Sequence, residues 1–436
     1  MYSPALSSVR PGLRCALLMA LAWLGMGLAK AQGQDLAVPL FNELEPSLFV
    51  VEVFDLETQK VQVLGSGFRA APGIIATNYH VLSSTLDPDD SVGVRVRDGQ
   101  GGVHAAVPVA VDVIGDLALL REESGTDVPL TLAGARPAIG ETVFSLGNPR
   151  NLGITVISGS YSGVKEASFY PRIHFSGAIN SGMSGGPAVN RAGEVIGVNV
   201  ASYGDGVGFL VPVDRLAGLL EGERSARSAE QWLPVVEQQL LENQARLFDE
   251  VFAQAWPTET LREARVVGDV FDAVLCTGDA RDADEDDPVS AVALDCAMEE
   301  DVFVRSDFFT GAIQYEFRYS HAPSLSEPRF YAVLGRLNAG GMFSHTWVGA
   351  DHVSGYRCID EVIRADAQFP ALPAMKTTLC IRRYTDFPRL HDVLFLGNTL
   401  DRGKASLLAH FALSGVSAAN ARRFLARFLG ALEWAS

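Results

Sequence analysis

Between Val38 and Val213 the apolar residues are broken into short runs, and this constrains the fold more than any other feature. The runs include Leu48–Phe54, Val61–Leu64, Gly73–Thr77, Val92–Val96, Val107–Val113 and Val195–Val200. They are rich in β-branched residues and bounded by Gly, Pro, Asn and Asp, which marks strands ended by turns. Few stretches keep apolar residues at helical spacing. A segment of roughly 175 residues built this way buries itself as a barrel or sandwich. Two six-stranded barrels are one such solution.

At 436 residues the chain has room for two or three domains, and 48% hydrophobic with 20% charged residues is ordinary globular composition. The first 31 residues differ. Arg10 and Arg14 precede the apolar run Cys15–Leu28, and Ala29-Lys30-Ala31 offers small residues at a cleavage site. This pattern predicts a signal peptide over 1–31 and an exported, periplasmic or secreted protein. No later stretch is long and apolar enough to be read as a membrane span. The leader carries three positive and no negative residues, so its loss takes the net charge from −17 to −20. Such acidity argues against nucleic acid or anionic lipid as a partner. Cys276, Cys296, Cys358 and Cys380 remain, all in the second half. An even number in an exported chain suggests disulfides. Four cysteines allow three connectivities, of which the sequence-local one is favoured.

Three stretches in the first half carry chemistry. Asn180-Ser181-Gly182-Met183-Ser184-Gly185-Gly186-Pro187 sets a serine among glycines. Glycine lets the backbone turn sharply and lets a ligand approach the main chain, as a nucleophile with amides aimed at a developing oxyanion requires. Alone, the motif reads more simply as a Gly-rich turn. His80 closes the apolar run Ile74–Thr77 just where a loop begins, and Asp116 interrupts Val113–Leu120. Singly these are a structural histidine and a turn aspartate. Together they supply a base, an orienting carboxylate and a nucleophile, with Gly182 and Ser184 giving the oxyanion-hole amides.

With these residues in place, the first half resembles a trypsin-like serine protease of the HtrA (Do) type. The matching stretches are Gly65-Ser66-Gly67-Phe68, Thr77-Asn78-Tyr79-His80-Val81, Asp116–Leu120, Gly147-Asn148-Pro149, Ile179–Pro187, Gly193–Asn199 and Gly208–Pro212. They keep the family's order over about two-fifths of the chain. The resemblance implies an all-β double β-barrel over 36–218 with its active site between the barrels. Met183 stands where the family most often has Asn, and Ser176-Gly177 replaces the usual Asp-Ala. The first departure bears on substrate contacts and the second on local rigidity. Six residues before the serine, where trypsin is acidic, stands Ala178. A basic side chain would find no countercharge there. The expected S1 pocket is apolar and shallow, lined by Ala178, Val198, Asn199, Val200, Val207, Gly208 and Phe209, and prefers small aliphatic P1 residues. Family members often form trimers, so a homo-oligomer is compatible with the resemblance, although the N-terminal arm is short here.

A linker is expected over 219–233, then an α+β domain of unknown function over 234–436, with no stretch resembling the PDZ domain usual in the family. Pro234 suits the first turn of a helix running to about Trp256. Strands are expected over Arg265–Leu275, Ser290–Ala297, Gly311–Tyr319, Phe330–Leu337, Phe343–Val348 and Thr377–Tyr384. Two helices, Gly403–Leu413 and Ala418–Trp434, close the chain. The acidic run Asp282–Asp287 lacks the Gly and Glu of a calcium loop and reads as a solvated turn. His321, His345 and His352 show no metal-ligand spacing. The sequence thus predicts a serine endopeptidase without cofactor or metal, acting on protein or peptide. The alternative is a binding or sensor protein on a protease scaffold, whose C-terminal domain recognises an unknown partner.

Overall fold

The computed structural model describes residues 36–88, 90–122, 128–165, 168–203, 206–284, 287–339 and 348–435, with side chains 201–203 and 337–339 left aside. The leader over 1–31 lies outside the described residues, as do Glu285, Asp286, His345 and nearly all of the expected strand Phe343–Val348. A helix, α1 (Ala37–Leu44), precedes the first strand. Strands β1 (Leu48–Asp55), β2 (Val61–Ala71), β3 (Ile74–Thr77), β4 (Val92–Asp98), β5 (Val103–Asp112) and β6 (Leu117–Glu122) close a barrel in the order β1-β2-β3-β6-β5-β4. The one-turn helix α2 (Tyr79–Leu82) follows β3. Strands β7 (Thr142–Gly147), β8 (Thr155–Val164), β9 (Ile173–Phe175), β10 (Pro187–Val189), β11 (Val195–Tyr203) and β12 (Val207–Pro212) close a second barrel in the order β7-β8-β9-β12-β11-β10. The two orders are the same, so one six-strand topology occurs twice. The expected pair of barrels is present.

Helices α3 (Val213–Glu221) and α4 (Ala229–Ala253) leave only residues 222–228 irregular, so the expected linker over 219–233 is shorter. Helix α4 starts five residues before Pro234, where Gln231 Oε1 accepts the Ser228 amide at 2.9 Å. Its buried face, Trp232, Val236, Leu240, Leu247, Phe248 and Val251, belongs to a core shared with barrel one. Gln239 joins the two like a strand partner: Oε1 accepts from the Val113 amide and Nε2 donates to the Val111 carbonyl, both at 2.8 Å.

Beyond it run β13 (Thr258–Leu261), β14 (Ala264–Val267), β15 (Val274–Arg281), β16 (Ser290–Met298), β17 (Val302–Arg305), β18 (Phe308–Thr310), β19 (Ile313–His321), α5 (Glu327–Ala339), β20 (Arg357–Ile363), β21 (Met375–Arg383), β22 (His391–Thr399), β23 (Ala405–Val416), α6 (Ala418–Gly430) and β24 (Glu433–Trp434). Seven strands form one antiparallel sheet, β15-β16-β19-β23-β22-β21-β20. Phe424 and Phe428 of α6 pack on Phe411 at 5.2 and 5.1 Å. Full burial of each ring contributes about 1.5–3 kcal/mol. The cysteines pair sequence-locally, Cys276–Cys296 and Cys358–Cys380. Each disulfide joins an edge strand of the sheet to its neighbour.

Three expected elements are different. Gly403–Leu413 holds strand β23, not a helix: all twelve residues of the strand are buried. A strand covered on both faces shows a continuous apolar run without alternation, which a buried helix also shows. Phe330–Leu337 lies in helix α5, where Phe330 and Leu334, four apart, share a small cluster with Val289, Ala322 and Leu325. Arg265–Leu275 splits between β14 and β15. No helix among the described residues is long and apolar enough to cross a membrane.

Candidate active site

His80 stands on α2, immediately after β3 ends at Thr77. Asp116 occupies the turn between β5 and β6 with φ of 58°, a left-handed conformation that Asp tolerates better than most residues. Asn78 Nδ2 fixes this turn by donating to the Asp116 carbonyl at 2.7 Å. The carboxylate then reaches His80 twice: Oδ1 accepts from the His80 amide at 2.8 Å, and Oδ2 lies 2.7 Å from Nδ1. The His80 side chain keeps 28% of its surface exposed and Asp116 14%. Burial alone would lower the imidazole pKa. The Asp116 charge and hydrogen bond outweigh it, and the net pKa lies above the ordinary value. Nε2 has no protein partner among the described residues.

Ser184 is carried by barrel two. Gly182 has φ of 94°, and a Cβ there would fall 2.4 Å from the Asn148 carbonyl oxygen, so only glycine fits. Gly185 has φ of 87°, and a Cβ there would meet the Ser66 carbonyl oxygen at 2.2 Å. The loop is bracketed from barrel one by Ser66. Its amide donates to the Ser184 carbonyl at 2.7 Å; its hydroxyl donates to the Gly182 carbonyl at 2.7 Å and accepts from the Asn148 amide at 2.9 Å. Neither the Gly182 nor the Ser184 amide meets a protein acceptor among the described residues, so both remain available beside the serine. The Ser184 hydroxyl donates to the Val200 carbonyl at 3.2 Å and not to His80.

The expected S1 residues fall in three places. Val198 and Asn199 are fully buried. Val198 packs in the core between the barrels, and Asn199 is part of the loop's scaffold, which corrects their expected place on a pocket wall. Asn199 Nδ2 donates to the Leu146 and Met183 carbonyls, its Oδ1 accepts from Ser145, and its own carbonyl accepts the Gly185 amide at 2.9 Å. Val207 and Phe209 alternate with Gly208, so they face the other way. With His174, Tyr161, Ile139 and Lys165 they line a cleft of about 840 Å³ that neither His80 nor Ser184 borders. Ala178, exposed, and the half-buried Val200 remain near the serine loop. Gly208 packs against Gly177 and Ile179. Met183 is fully buried in the barrel-two core, so its side chain is directed away from the cleft. Ser176 Oγ accepts the Ser160 amide, tying the substituted Ser176-Gly177 segment to β8.

Sequence reading missed the scaffold role of Asn199, although a polar residue inside an apolar run signals a buried network. It also missed Phe303 of β17, whose ring lies edge-on to the His80 imidazole with centroids 6.0 Å apart. Nothing in the sequence around Phe303 marks it.

The two barrels have the trypsin-like fold, and residues 65–198 match the family described as the trypsin-like peptidase domain. Its relatives are of the HtrA type. The chain is 38% identical over 172 residues to serine protease HTRA2, mitochondrial, of Bos taurus, covering 37% of this chain and 36% of that protein. It is 33% identical over 169 residues to serine endoprotease DegS of Escherichia coli K12, covering 35% and 46%. A crystal structure of the serine endoprotease from Yersinia pestis aligns at 30% identity over 42% of this chain and 64% of that one, with a TM-score of 0.37. The chain therefore spans less than half the length of these two curated relatives, and the family match lies within its first half.

Proposed function

We propose that this protein is a serine endopeptidase acting through an acyl-enzyme. The observation that carries the reading is the pair of hydrogen bonds that Asp116 accepts from His80, which leaves Nε2 as the free nitrogen. In this reading Asp116 fixes the tautomer and stabilises the imidazolium. His80 takes the proton from the Ser184 hydroxyl and later gives it to the leaving amine. The Gly182 and Ser184 amides hold the oxyanion, each such donor being worth about 10²–10³ in kcat. The hydroxyl must first leave the Val200 carbonyl, a side-chain rotation that substrate binding can drive. A small aliphatic P1 residue fits the surroundings of Ala178, Val200 and Gly208, which among the described residues offer no carboxylate to a basic side chain. Cleavage mainly after Lys or Arg would contradict that preference. The two disulfides support an oxidising compartment, in keeping with an exported protein.

The test is fluorophosphonate labelling of the protein and of Ser184→Ala, with and without an unfolded protein substrate. Labelling lost in the variant is expected. Absence of labelling under both conditions would remove the reading, and labelling only with substrate would mean that the site assembles on binding. The pH profile is a second check. A base must be neutral, and the His80 pKa is raised, so kcat/KM should fall as pH drops through a value above 6.5. An acid limb well below pH 5 would assign the base elsewhere.

A further inference from the structure

The surroundings of His80 are not built by the barrels alone. The hairpin β17–β18 of the C-terminal region reaches across to α2 and grips it at three points. Tyr79 donates its hydroxyl to the Val304 carbonyl at 3.0 Å, and its ring meets Phe303 at 6.4 Å. Arg305 Nε pairs with Asp87, just after α2, at 3.0 Å. Phe303 itself meets His80 edge-on.

The hairpin is braced from behind. Phe309 lies edge-on against Phe303 at 5.4 Å, and Phe308 against Tyr384 at 4.8 Å. Thr310 Oγ1 lies 2.8 Å from the Tyr384 hydroxyl, which donates to Asp392 at 2.6 Å. Arg305 Nη1 pairs with Asp386 at 2.7 Å. Phe303 is thus held on two sides, yet it remains only half-buried. A rigid, half-exposed aromatic beside an imidazole offers apolar contact at little entropic cost, because nothing need be ordered to make it. A substrate held for attack by Ser184 must lay a residue next to the scissile bond over that imidazole.

We propose that Phe303 is a specificity-determining residue. It forms the apolar wall of the subsite beside His80, so that the cleft selects substrates with an aliphatic or aromatic side chain next to the scissile bond. The proposal rests on the protease reading above. It makes the C-terminal region part of the substrate-binding surface.

The experiment uses the full chain and internally quenched peptides with Val at P1, carrying Leu or Gly at P2 and, in a second set, at P1′. The quantity read is the ratio of kcat/KM for Leu over Gly. Phe303→Ala is expected to lower that ratio about tenfold at one of the two positions, with the change carried by KM, since a hydrophobic contact discriminates by about 10–200-fold. Phe303→Leu should keep most of the ratio and Phe303→Trp should preserve it. If the alanine variant fails to fold, the graded Trp, Phe and Leu series still reads the ratio against side-chain size. An unchanged ratio at both positions overturns the proposal. So does an equal loss for all peptides with a displaced acid limb, which would mean that Phe303 only positions His80. A wild-type chain that neither cleaves nor labels overturns both readings, whereas one that labels and cleaves with an insensitive ratio overturns this one alone.

Discussion

His80 and Asp116 stand on barrel one and lean on the C-terminal region, whereas Ser184 stands on barrel two and is fixed by bonds that stay within the barrels. Behind Asp116, Gln239 of α4 satisfies the backbone of Val111 and Val113; behind His80, the β17–β18 hairpin holds Tyr79 and Asp87. Around Ser184 the partners are Ser66, Asn148 and Asn199. The cores divide in the same way. Barrel one shares a continuous core with α4 and the seven-stranded sheet, barrel two keeps a cluster of its own around Val143, Phe175 and Met183, and a third cluster joins the two barrels. Barrel two touches the C-terminal region mainly through one hook, where Phe169 and Tyr170 enter the shared core and Asn243 donates to the Tyr170 hydroxyl at 2.8 Å. The proposed base, His80, and the proposed nucleophile, Ser184, therefore answer to different parts of the chain, and perturbations can be chosen that reach one without the other.

The largest effect is expected from Asp116→Asn. Losing the carboxylate should lower kcat/KM by about 10⁴. It should also bring the His80 titration down from its raised value, followed by NMR. A His80 titration that stays put would separate Asp116 from the base and break the comparison at its centre.

Acid should act next, through the sheet that supports the His80 side. His410 on β23 is 1% exposed, neither ring nitrogen has a hydrogen-bond partner among the described residues, and burial lowers its pKa to about 4. The unfolded chain takes up that proton near pH 6.5 and the folded chain only near 4. Stability present above pH 6.5 is therefore lost progressively down to about 4 and not further, by about 3 kcal/mol in all. Urea unfolding at pH 7 and 4.5 measures this loss, and His410→Leu should flatten it. An unchanged slope in the variant would assign the acid sensitivity to other groups.

The finest discrimination pairs Asn199→Ala with Gln239→Ala. The first removes bonds to Ser145, Leu146 and Met183 and should cost about 3 kcal/mol; the second removes two and should cost about 1–2 kcal/mol. Hydrogen exchange should rise around 180–187 in the first variant and around 111–117 in the second. The same exchange pattern in both would mean that the two sides are not separately supported.

The barrels were legible because their strands are short, β-branched and punctuated. The Ser184 loop was legible because its glycines are dictated by positive φ and by the close approach of the Asn148 and Ser66 carbonyls. The C-terminal sheet was less so. β23 buries both faces, and a strand without alternation has no period to read. The pocket residues failed for a related reason. A β-strand sends neighbours to opposite sides, so grouping Val207 with Gly208 mixed residues that the pleat separates, and a register break between Asn199 and Ala201 undoes the alternation that would have kept Val198 and Val200 on one face. Phe303 was invisible because its partner lies more than two hundred residues away, and local sequence carries no trace of a contact between distant segments.

The two disulfides have a consequence for a chain that would live in the presence of its own activity. A protease takes its substrate as an extended strand, and the edge strands of an open sheet are the folded segments that most resemble one. Here β15 and β20 are those edges, and each is covalently clipped to its inner neighbour near its start. A clipped edge cannot peel away far enough to thread a second molecule's cleft. Reduction would therefore show itself first as self-digestion, with cuts at the two margins of the sheet while the barrels are still intact.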